Sequence, residues 1–284
     1  NMDLEDGVGP RRWRTISPNE SGDWINQRSD AFDNFVMMGH KRSSRNDTTI
    51  FNTLSHGVTT GRDAWVFNFS ERALSDNVQR MIQNYNNEVD RYKEMCREVN
   101  KSLSPADIVD KDLKKIKWEG GLLADVGKLR YHKYRPDSVV YVMYSPFVKQ
   151  WLYFNADLIS RRGRLPSFFP TAHHSNIVIS VTGPGALKKF SCIMSDCPTS
   201  SQLTSVGQCF PLYFYEKVDT SKDTQNGLFT DSSEKPDADG YVRRDAITDV
   251  ALEDYRAFYN DKTITKEDIF YHVYGILHAP DYRE

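Results

Sequence analysis

The stretch that decides the first element of the fold is residues 70–105, "SERALSDNVQRMIQNYNNEVDRYKEMCREVNKSLSP". Its apolar residues recur every three or four positions, which is the spacing of one face of an α-helix. Ser70 and Ser75 are candidate N-caps, and Pro105 ends the pattern. The sequence therefore predicts one long amphipathic helix at about residues 71–103. Its apolar positions are Leu74, Val78, Met81, Ile82, Tyr85, Val89, Tyr92, Met95, Val99 and Leu103.

After this helix, short runs of aromatic and β-branched residues are separated by Pro and Gly, which is typical of strands. The runs do not alternate regularly with helices, so an α+β fold is favoured over a parallel α/β fold. The sequence predicts a mixed or antiparallel sheet of about five strands. The runs are "SVVYVMY" (138–144), "QWLYF" (150–154), "NIVISVTG" (176–183), "KFSCIMS" (189–195) and "CFPLYFYE" (209–216).

The C-terminal part begins with an acidic segment, residues 219–240, that carries six acids against two lysines and reads as a solvated surface loop. Two helices follow at 247–260 and 263–277, and Thr265 with Asp268 makes a capping box for the second. We expect residues 1–284 to form one module, or two lobes. The lobes would be an N-terminal segment with the long helix (1–117) and a sheet-containing lobe with the C-terminal helices (118–284).

Composition excludes several classes of protein. With 284 residues, 39% of them hydrophobic, the chain can bury a substantial core. A net charge of -2 excludes a generally basic nucleic-acid-coating protein, though not a local basic surface. The four cysteines form no C-x-x-C pair, and no apolar run approaches the roughly 20 residues of a bilayer span. We predict a cytoplasmic location, reduced cysteines and no membrane partner.

Candidate catalytic and metal-binding residues give weak patterns. Asp107, Asp112 and Lys114 imitate a metal-dependent nuclease site but sit in a charge-rich stretch that a solvated helix face explains. The adjacent His173 and His174 lack the spacing of a helix-borne metal pair. We therefore predict no catalytic residue, no metal site and no cofactor in this chain. An alternative is that the chain is an independent enzyme. Metal-dependent DNA nicking that Asp112→Ala abolishes would support this alternative.

The segment "HGVTTGR" (56–62) reads as a loop with hydrogen-bond donors at its tip, leading into "DAWVFNF" (63–69). The second part is predicted to be a strand with Trp65, Phe67 and Phe69 on one face, facing the core. Arg62 has two open interpretations, an ion pair with Asp63 or a nearby carboxylate and a contact with guanine.

A glycine-containing turn, "VTGPGALKKF" (181–190), lacks the third glycine of a dinucleotide-binding loop and the Gly-Lys-Ser/Thr ending of a P-loop. It is better explained as a β-turn. Lys188 and Lys189 next to exposed backbone N–H groups would suit a DNA phosphate.

Several stretches, in this order along the chain, resemble the C-terminal specificity region of the type ISP restriction-modification enzymes, which are single large bacterial polypeptides. The resemblance implies a target-recognition domain whose parent carries a nuclease, a helicase-like ATPase and an adenine-N6 methyltransferase upstream. That parent would use ATP, Mg and S-adenosylmethionine. The stretches are "SGDWINQR" (21–28), "GVTTGRDAWVFNFS" (57–70), "YSPFVKQWLYF" (144–154), "VTGPGALKKFS" (181–191), "QCFPLYFYE" (208–216) and "ITKEDIFYHVYGILHAPDYRE" (264–284).

This resemblance implies two partners, double-stranded DNA and the upstream methyltransferase domain. Base and phosphate contacts need Arg, Lys, Asn, Gln, Ser or Thr side chains on loops. We expect an excised fragment that stops before the natural C-terminus, so an alternative is a structural brace for the methyltransferase, with DNA read by the part after Glu284. The expected DNA-binding residues are His56, Thr59, Thr60, Arg62, Arg161, Arg162, Arg164, Lys188 and Lys189.

Overall fold

The long helix spans Glu71–Val99 and buries seven of the ten predicted apolar positions, those from Leu74 to Tyr92. Met95 is half-buried, Val99 is 57% exposed and Leu103 lies beyond the helix. Ser70 is its N-cap, because the Ser70 side chain accepts a hydrogen bond from the Ala73 backbone N–H. The helix ends at Asn100, which adopts the left-handed conformation with φ 52° and whose N–H bonds to the Arg97 carbonyl. The predicted helix is therefore confirmed, and it stops at Val99 because of this left-handed cap.

The computed structural model describes residues 49–218 and 235–283, the stretches 16–20 and 35–40, and residues 22 and 24. The chain divides into two compact units, residues 1–37 and 38–284, and the second unit contains the features described below. Most of the predicted acidic loop, and most of "SGDWINQR", lie outside the described residues. In the described part of the chain, no helix is both long enough and apolar enough to cross a bilayer.

The two predicted C-terminal helices are confirmed. Like the other described helices, they are much shorter than the helix at Glu71–Val99. The Thr265 side chain accepts from the Asp268 N–H while the Asp268 side chain accepts from the Thr265 N–H, which is the predicted capping box. In chain order the helices are α1 Asp63–Val66, α2 Glu71–Val99, α3 Pro105–Ile108, α4 Leu122–Gly127, α5 Leu165–Phe168, α6 Asp249–Tyr259, α7 Lys266–Ile276 and α8 Pro280–Arg283.

The described strands pair antiparallel, so the α+β class is confirmed, but they form three small sheets instead of the predicted single sheet of about five strands. The strands are β1 Ser55–His56, β2 Phe67–Asn68, β3 Val139–Ser145, β4 Val148–Tyr153, β5 Val178–Val181, β6 Cys192–Ser195, β7 Gln208–Pro211, β8 Tyr213–Lys217 and β9 Tyr241–Asp245. The sheet orders are β1-β7-β5-β6, β2-β4-β3 and β8-β9.

All five predicted runs contain a strand, and the run at 209–216 contains two. The break between β7 and β8 has a local cause at Asn176. Its side chain donates to the Tyr213 carbonyl (2.6 Å) and accepts from the Tyr213 N–H (3.1 Å). These bonds take the place of further pairing with β5, so the chain continues into the β8-β9 hairpin instead.

The four-stranded sheet lies between two hydrophobic cores. Successive residues on a strand point to opposite faces. Val178 of β5 therefore belongs to the core that α2 forms with β3 and β4, whereas its neighbour Ile179 belongs to the core under α6 and α7. Each fully buried large side chain, such as Leu74 or Phe270, contributes about 1.5–3 kcal/mol of stability. With cores on both faces, all four residues of the inner strand β5 are buried, whereas the loops at the ends of the sheet contain exposed residues.

The prediction of a strand through residues 63–69 was wrong. Asp63–Val66 is a helical turn, and only Phe67–Asn68 pairs as a strand. The backbone N–H groups of Trp65 and Val66 both donate to the Arg62 carbonyl (2.9 and 3.3 Å), which starts the turn. Phe69, predicted to face the core, is 72% exposed.

Candidate nucleic-acid interface

Three loops leave the same end of the four-stranded sheet. His56 pairs with Gln208, Gln208 with Val181 and Val181 with Cys192, so the last residues of β1 and β5 and the first residues of β6 and β7 lie in one row. We call this the loop end, and its loops are residues 57–62, 182–191 and 198–207. With strands about 4.8 Å apart, the row spans about 14 Å, which is comparable to the DNA major groove.

Loops 57–62 and 198–207 are hydrogen-bonded to each other along the backbone. The Val58 N–H donates to the Thr199 carbonyl (2.8 Å), and the Ser201 N–H donates to the Val58 carbonyl (2.9 Å). This close approach requires glycine at position 57, since a Cβ there would lie 2.6 Å from the Ser200 carbonyl carbon. The two loops therefore behave as one structural unit.

Arg161 joins this unit from a separate part of the chain. Its backbone pairs with that of Thr59 in an antiparallel bridge, with N–O distances of 2.8 and 2.9 Å. The side chains of Thr59 and Arg161 are both exposed. The structure thus brings together two of the residues predicted to bind DNA.

Arg62 and Thr60 point inward instead. Arg62 is 2% exposed, and its guanidinium donates to the backbone carbonyls of Lys117, Leu158 and Glu119. Burial lowers the pKa of Arg62 to about 10, so the side chain stays charged at neutral pH. Thr60 is 2% exposed and donates its hydroxyl to Asp63. These two residues hold the loop in shape and do not face solvent.

The other two arginines of "RRGR" have different environments. The Arg162 guanidinium lies 5.6 Å from the centre of the Phe154 ring, and burial lowers its pKa. Arg164 is exposed, but its side chain donates to the Thr53 hydroxyl at 2.9 Å. Together with the half-buried His56, Arg164 lines a separate cavity of about 210 Å³.

Lys188 and Lys189 are exposed on the loop that connects β5 to β6. The Ser191 N–H donates to the Thr182 hydroxyl (2.8 Å), which closes the base of this loop. The Gly183 N–H donates to the Ser205 carbonyl (3.2 Å) and so connects the loop to residues 198–207. Both lysines therefore lie at the loop end with Thr59 and Arg161.

A further exposed residue at the loop end, Gln202, was missed by the sequence analysis. It lies in the polar stretch "TSSQLTS" (199–205), whose clustered Ser and Thr residues were the available signal for a functional turn. Gln202 lines a cavity of about 560 Å³ together with residues 58–65, Leu113 and Lys117. The exposed residue Thr59 also lines this cavity.

The loops of the loop end contain no acidic residue, and the two carboxylates beside them have partners within the protein: Asp63 accepts from the Thr60 hydroxyl, and Glu119 pairs with Lys117 (2.6 Å). Loops 57–62, 182–191 and 198–207 contain no Asp or Glu, although the chain as a whole has 39 acidic and 37 basic residues. In the described ranges, no three His, Cys, Asp or Glu residues group closely enough to hold a metal ion. The arrangement offers positive charge and hydrogen-bond donors, which suit an anionic polymer.

This combination of a buried sheet and polar, basic loops agrees with the comparisons with known proteins. The chain belongs to the Type ISP C-terminal specificity domain family, whose profile matches residues 49–284. The resemblance inferred from the sequence motifs is therefore confirmed. No curated protein matches the chain.

The solved structures that are similar to this chain include three that contain DNA or a DNA mimic. The first is a nuclease-deletion mutant of the Type ISP restriction-modification enzyme LlaGI in complex with a DNA substrate mimic, with 29% identity, TM-score 0.72 and coverage of 96% of this chain and 22% of that one. The second is a cryoEM DrdV-DNA complex, with 28% identity, TM-score 0.76 and coverage of 96% and 24%. The third is the ATP-dependent Type ISP enzyme LlaBIII bound to DNA, with 27% identity, TM-score 0.71 and coverage of 94% and 15%. This chain thus spans less than a quarter of the length of each.

Proposed function

We propose that this chain is the target-recognition module of a larger ATP-dependent restriction-modification enzyme, and that its loop end contacts double-stranded DNA. The observation that carries the proposal is that the three loops of the loop end contain basic residues and no Asp or Glu, in a chain of net charge -2. Phosphate binding needs positive charges that converge on one face. Arg161, Lys188 and Lys189 provide them there, and the exposed Thr59 lies beside Arg161.

The full set of predicted DNA-binding residues separates into three roles in this proposal. Arg161, Lys188, Lys189 and Thr59 contact DNA at the loop end. His56, Arg162 and Arg164 are secondary contacts at its margin, because each is partly buried or already hydrogen-bonded. Thr60 and Arg62 support the loop from inside.

The chemistry of the parent enzyme is assigned to segments outside this chain. We place the nuclease, the helicase-like ATPase and the adenine-N6 methyltransferase upstream, together with their use of ATP, Mg and S-adenosylmethionine. The upstream methyltransferase domain is then the second partner, and the role of this chain is to select the DNA sequence on which that domain acts. The proposal draws on the family match and on three similar structures that contain DNA or a DNA mimic.

Binding of the 284-residue chain to duplex DNA over a series of salt concentrations tests the proposal. The variant Arg161→Ala/Lys188→Ala/Lys189→Ala removes three charges at the loop end. Each lost phosphate contact should reduce the slope of log K against log salt by roughly 0.9. The matched control is Lys93→Ala/Arg97→Ala/Lys101→Ala, which removes the same charge from exposed positions at and beyond the C-terminal part of α2.

A reduced slope in the first variant and an unchanged slope in the control would support the proposal. Equal slopes in both variants would show that DNA binds elsewhere on the chain. If the folded chain shows no salt-dependent binding, it is a brace for the methyltransferase and the DNA-reading proposal fails.

A further inference from the structure

Most hydroxyl groups at the loop end are already used inside the protein. The Thr59 hydroxyl donates to the Ser201 hydroxyl (3.1 Å), and the Thr204 hydroxyl donates to the Val181 carbonyl (3.0 Å). The lysines are point charges without a fixed geometry, which suits phosphates better than base edges. Few side chains at this surface are therefore free to read a base.

Gln202 differs from these residues. It is exposed, and it is the sole Asn or Gln within 57–62, 182–191 and 198–207. Its backbone N–H donates to the Ser200 hydroxyl (3.2 Å), while its side-chain amide has no hydrogen-bond partner in the described part of the chain. A carboxamide offers one acceptor and two donors, so Gln202 presents an unused pair of hydrogen-bonding groups.

The turn that carries Gln202 is held firmly. The next two residues, Leu203 and Thr204, are 5% and 4% exposed, so they anchor the turn in the interior. Ser205 and Val206 then adopt positive φ values of 60° and 53°, which is unfavourable for a β-branched residue such as Val206. Backbone strain of this kind persists where the surrounding structure enforces it, and it concentrates at functional sites.

Gly183 helps to hold Ser205 and Val206 in this strained conformation. Its N–H bonds to the Ser205 carbonyl (3.2 Å), and a Cβ at position 183 would lie 1.9 Å from the Val206 carbonyl oxygen. The turn with Gln202 and the loop with Lys188 and Lys189 are thus locked together. A phosphate contact by the lysines would fix where the Gln202 amide meets the groove.

We propose that Gln202 is a specificity-determining residue that reads one adenine of the target in the major groove. This inference rests on the proposed function. The Gln202 Oε1 accepts a hydrogen bond from the adenine N6 amino group, and Nε2 donates to adenine N7. A bidentate contact of this type discriminates against other bases by roughly 5- to 150-fold.

Selection of binding sites from a library of random duplexes tests the inference. The proteins compared are the wild-type chain, Gln202→Ala, Gln202→Arg and the control Gln83→Ala, which removes an exposed amide from α2. We expect Gln202→Ala to lose at least about fivefold preference for A·T at one position and to retain the rest of the site. Gln202→Arg should shift that position to G·C, because Arg pairs with guanine O6 and N7.

The outcomes separate the inference from the proposed function. If the wild-type chain selects a site and both Gln202 variants select the same site, the inference is wrong and the function stands. A uniform loss of affinity for every sequence in Gln202→Ala would also overturn the inference, since it indicates a phosphate or packing role. If the wild-type chain binds duplexes but selects no sequence, the proposed function and the inference fail together. Thermal unfolding of each variant checks that it is folded.

Discussion

Thr59 and Arg161 exchange both of their backbone hydrogen bonds, with N–O distances of 2.9 and 2.8 Å, although they are far apart in the sequence. This bridge places the exposed Arg161 side chain beside loop 57–62. Arg62, three positions after Thr59, points in the opposite direction and is buried. Two arginines predicted as DNA contacts therefore have different physical roles.

The first prediction compares these two arginines. Arg62→Ala removes the donors for three backbone carbonyls and should lower the free energy of unfolding by about 3 kcal/mol. Arg161→Ala should change it by less than about 0.5 kcal/mol, because only an exposed side chain is removed. Urea unfolding measures both values. Equal midpoints for the two variants would contradict the structural role of Arg62.

The second prediction concerns two glycines of the β5-β6 loop. In Gly183→Ala the new Cβ would lie 1.9 Å from the Val206 carbonyl oxygen, so the loop must move. We expect the free energy of unfolding to fall by about 2–3 kcal/mol. In Gly185→Ala the new Cβ would have no atom within 4 Å, but the backbone at this position has φ +81°. The free energy of unfolding should therefore fall by about 1 kcal/mol. The same unfolding assay ranks them, and a larger loss in Gly185→Ala would refute the predicted clash.

The third prediction is a pH dependence at Asp237. Hydrogen bonds from the Tyr241 backbone N–H (2.9 Å) and from His174 Nε2 (2.8 Å) lower the pKa of the Asp237 carboxyl. A carboxyl whose folded-state pKa is lowered adds stability above its unfolded pKa of about 3.9, and this stability is lost as the pH falls through the folded-state pKa. Asp237→Ala should therefore lower the Tm at about pH 7 and differ less from wild type below about pH 4.

A matched control for this pH series is Asp254→Ala, which removes an exposed carboxylate from α6. Its difference in Tm from wild type should be small, because only an exposed side chain is removed. A constant Tm difference for Asp237→Ala across the same range would show that its ionisation is not linked to folding.

The fourth prediction concerns thiol reactivity. Cys209 is buried, with its Sγ 2.9 Å from the Thr199 hydroxyl, and burial raises the pKa of its thiol to about 11. Because the thiolate is the reactive form, iodoacetamide at about pH 8 should modify Cys209 much more slowly than the half-buried Cys96 in the folded chain. Mass spectrometry of peptides measures both rates. In urea the two rates should converge, and equal rates in the folded chain would contradict the burial of Cys209.

The elements with a regular local pattern were determined by the sequence alone. Helix α2, the Thr265 capping box and the positions of β3 to β7 follow from periodicity, caps and β-branched runs, because each depends on residues close together in the chain. The family also followed from the order of short motifs. The segment 63–69 shows the limit of this reasoning, since its apolar alternation was overridden by hydrogen bonds to the Arg62 carbonyl.

The identity of the exposed residues was decided by the tertiary structure. Thr60 and Arg62 follow Thr59 within three positions, yet hydrogen bonds to residues 158–161 and 117–119 hold them inside the protein and leave Thr59 exposed. The loop end exists because β1 and β5 end in the same row in which β6 and β7 begin. Gln202 became a candidate only when its neighbours proved to be buried. Such contacts join distant parts of the chain and leave no period in the sequence, so burial and convergence of side chains are set by the folded structure.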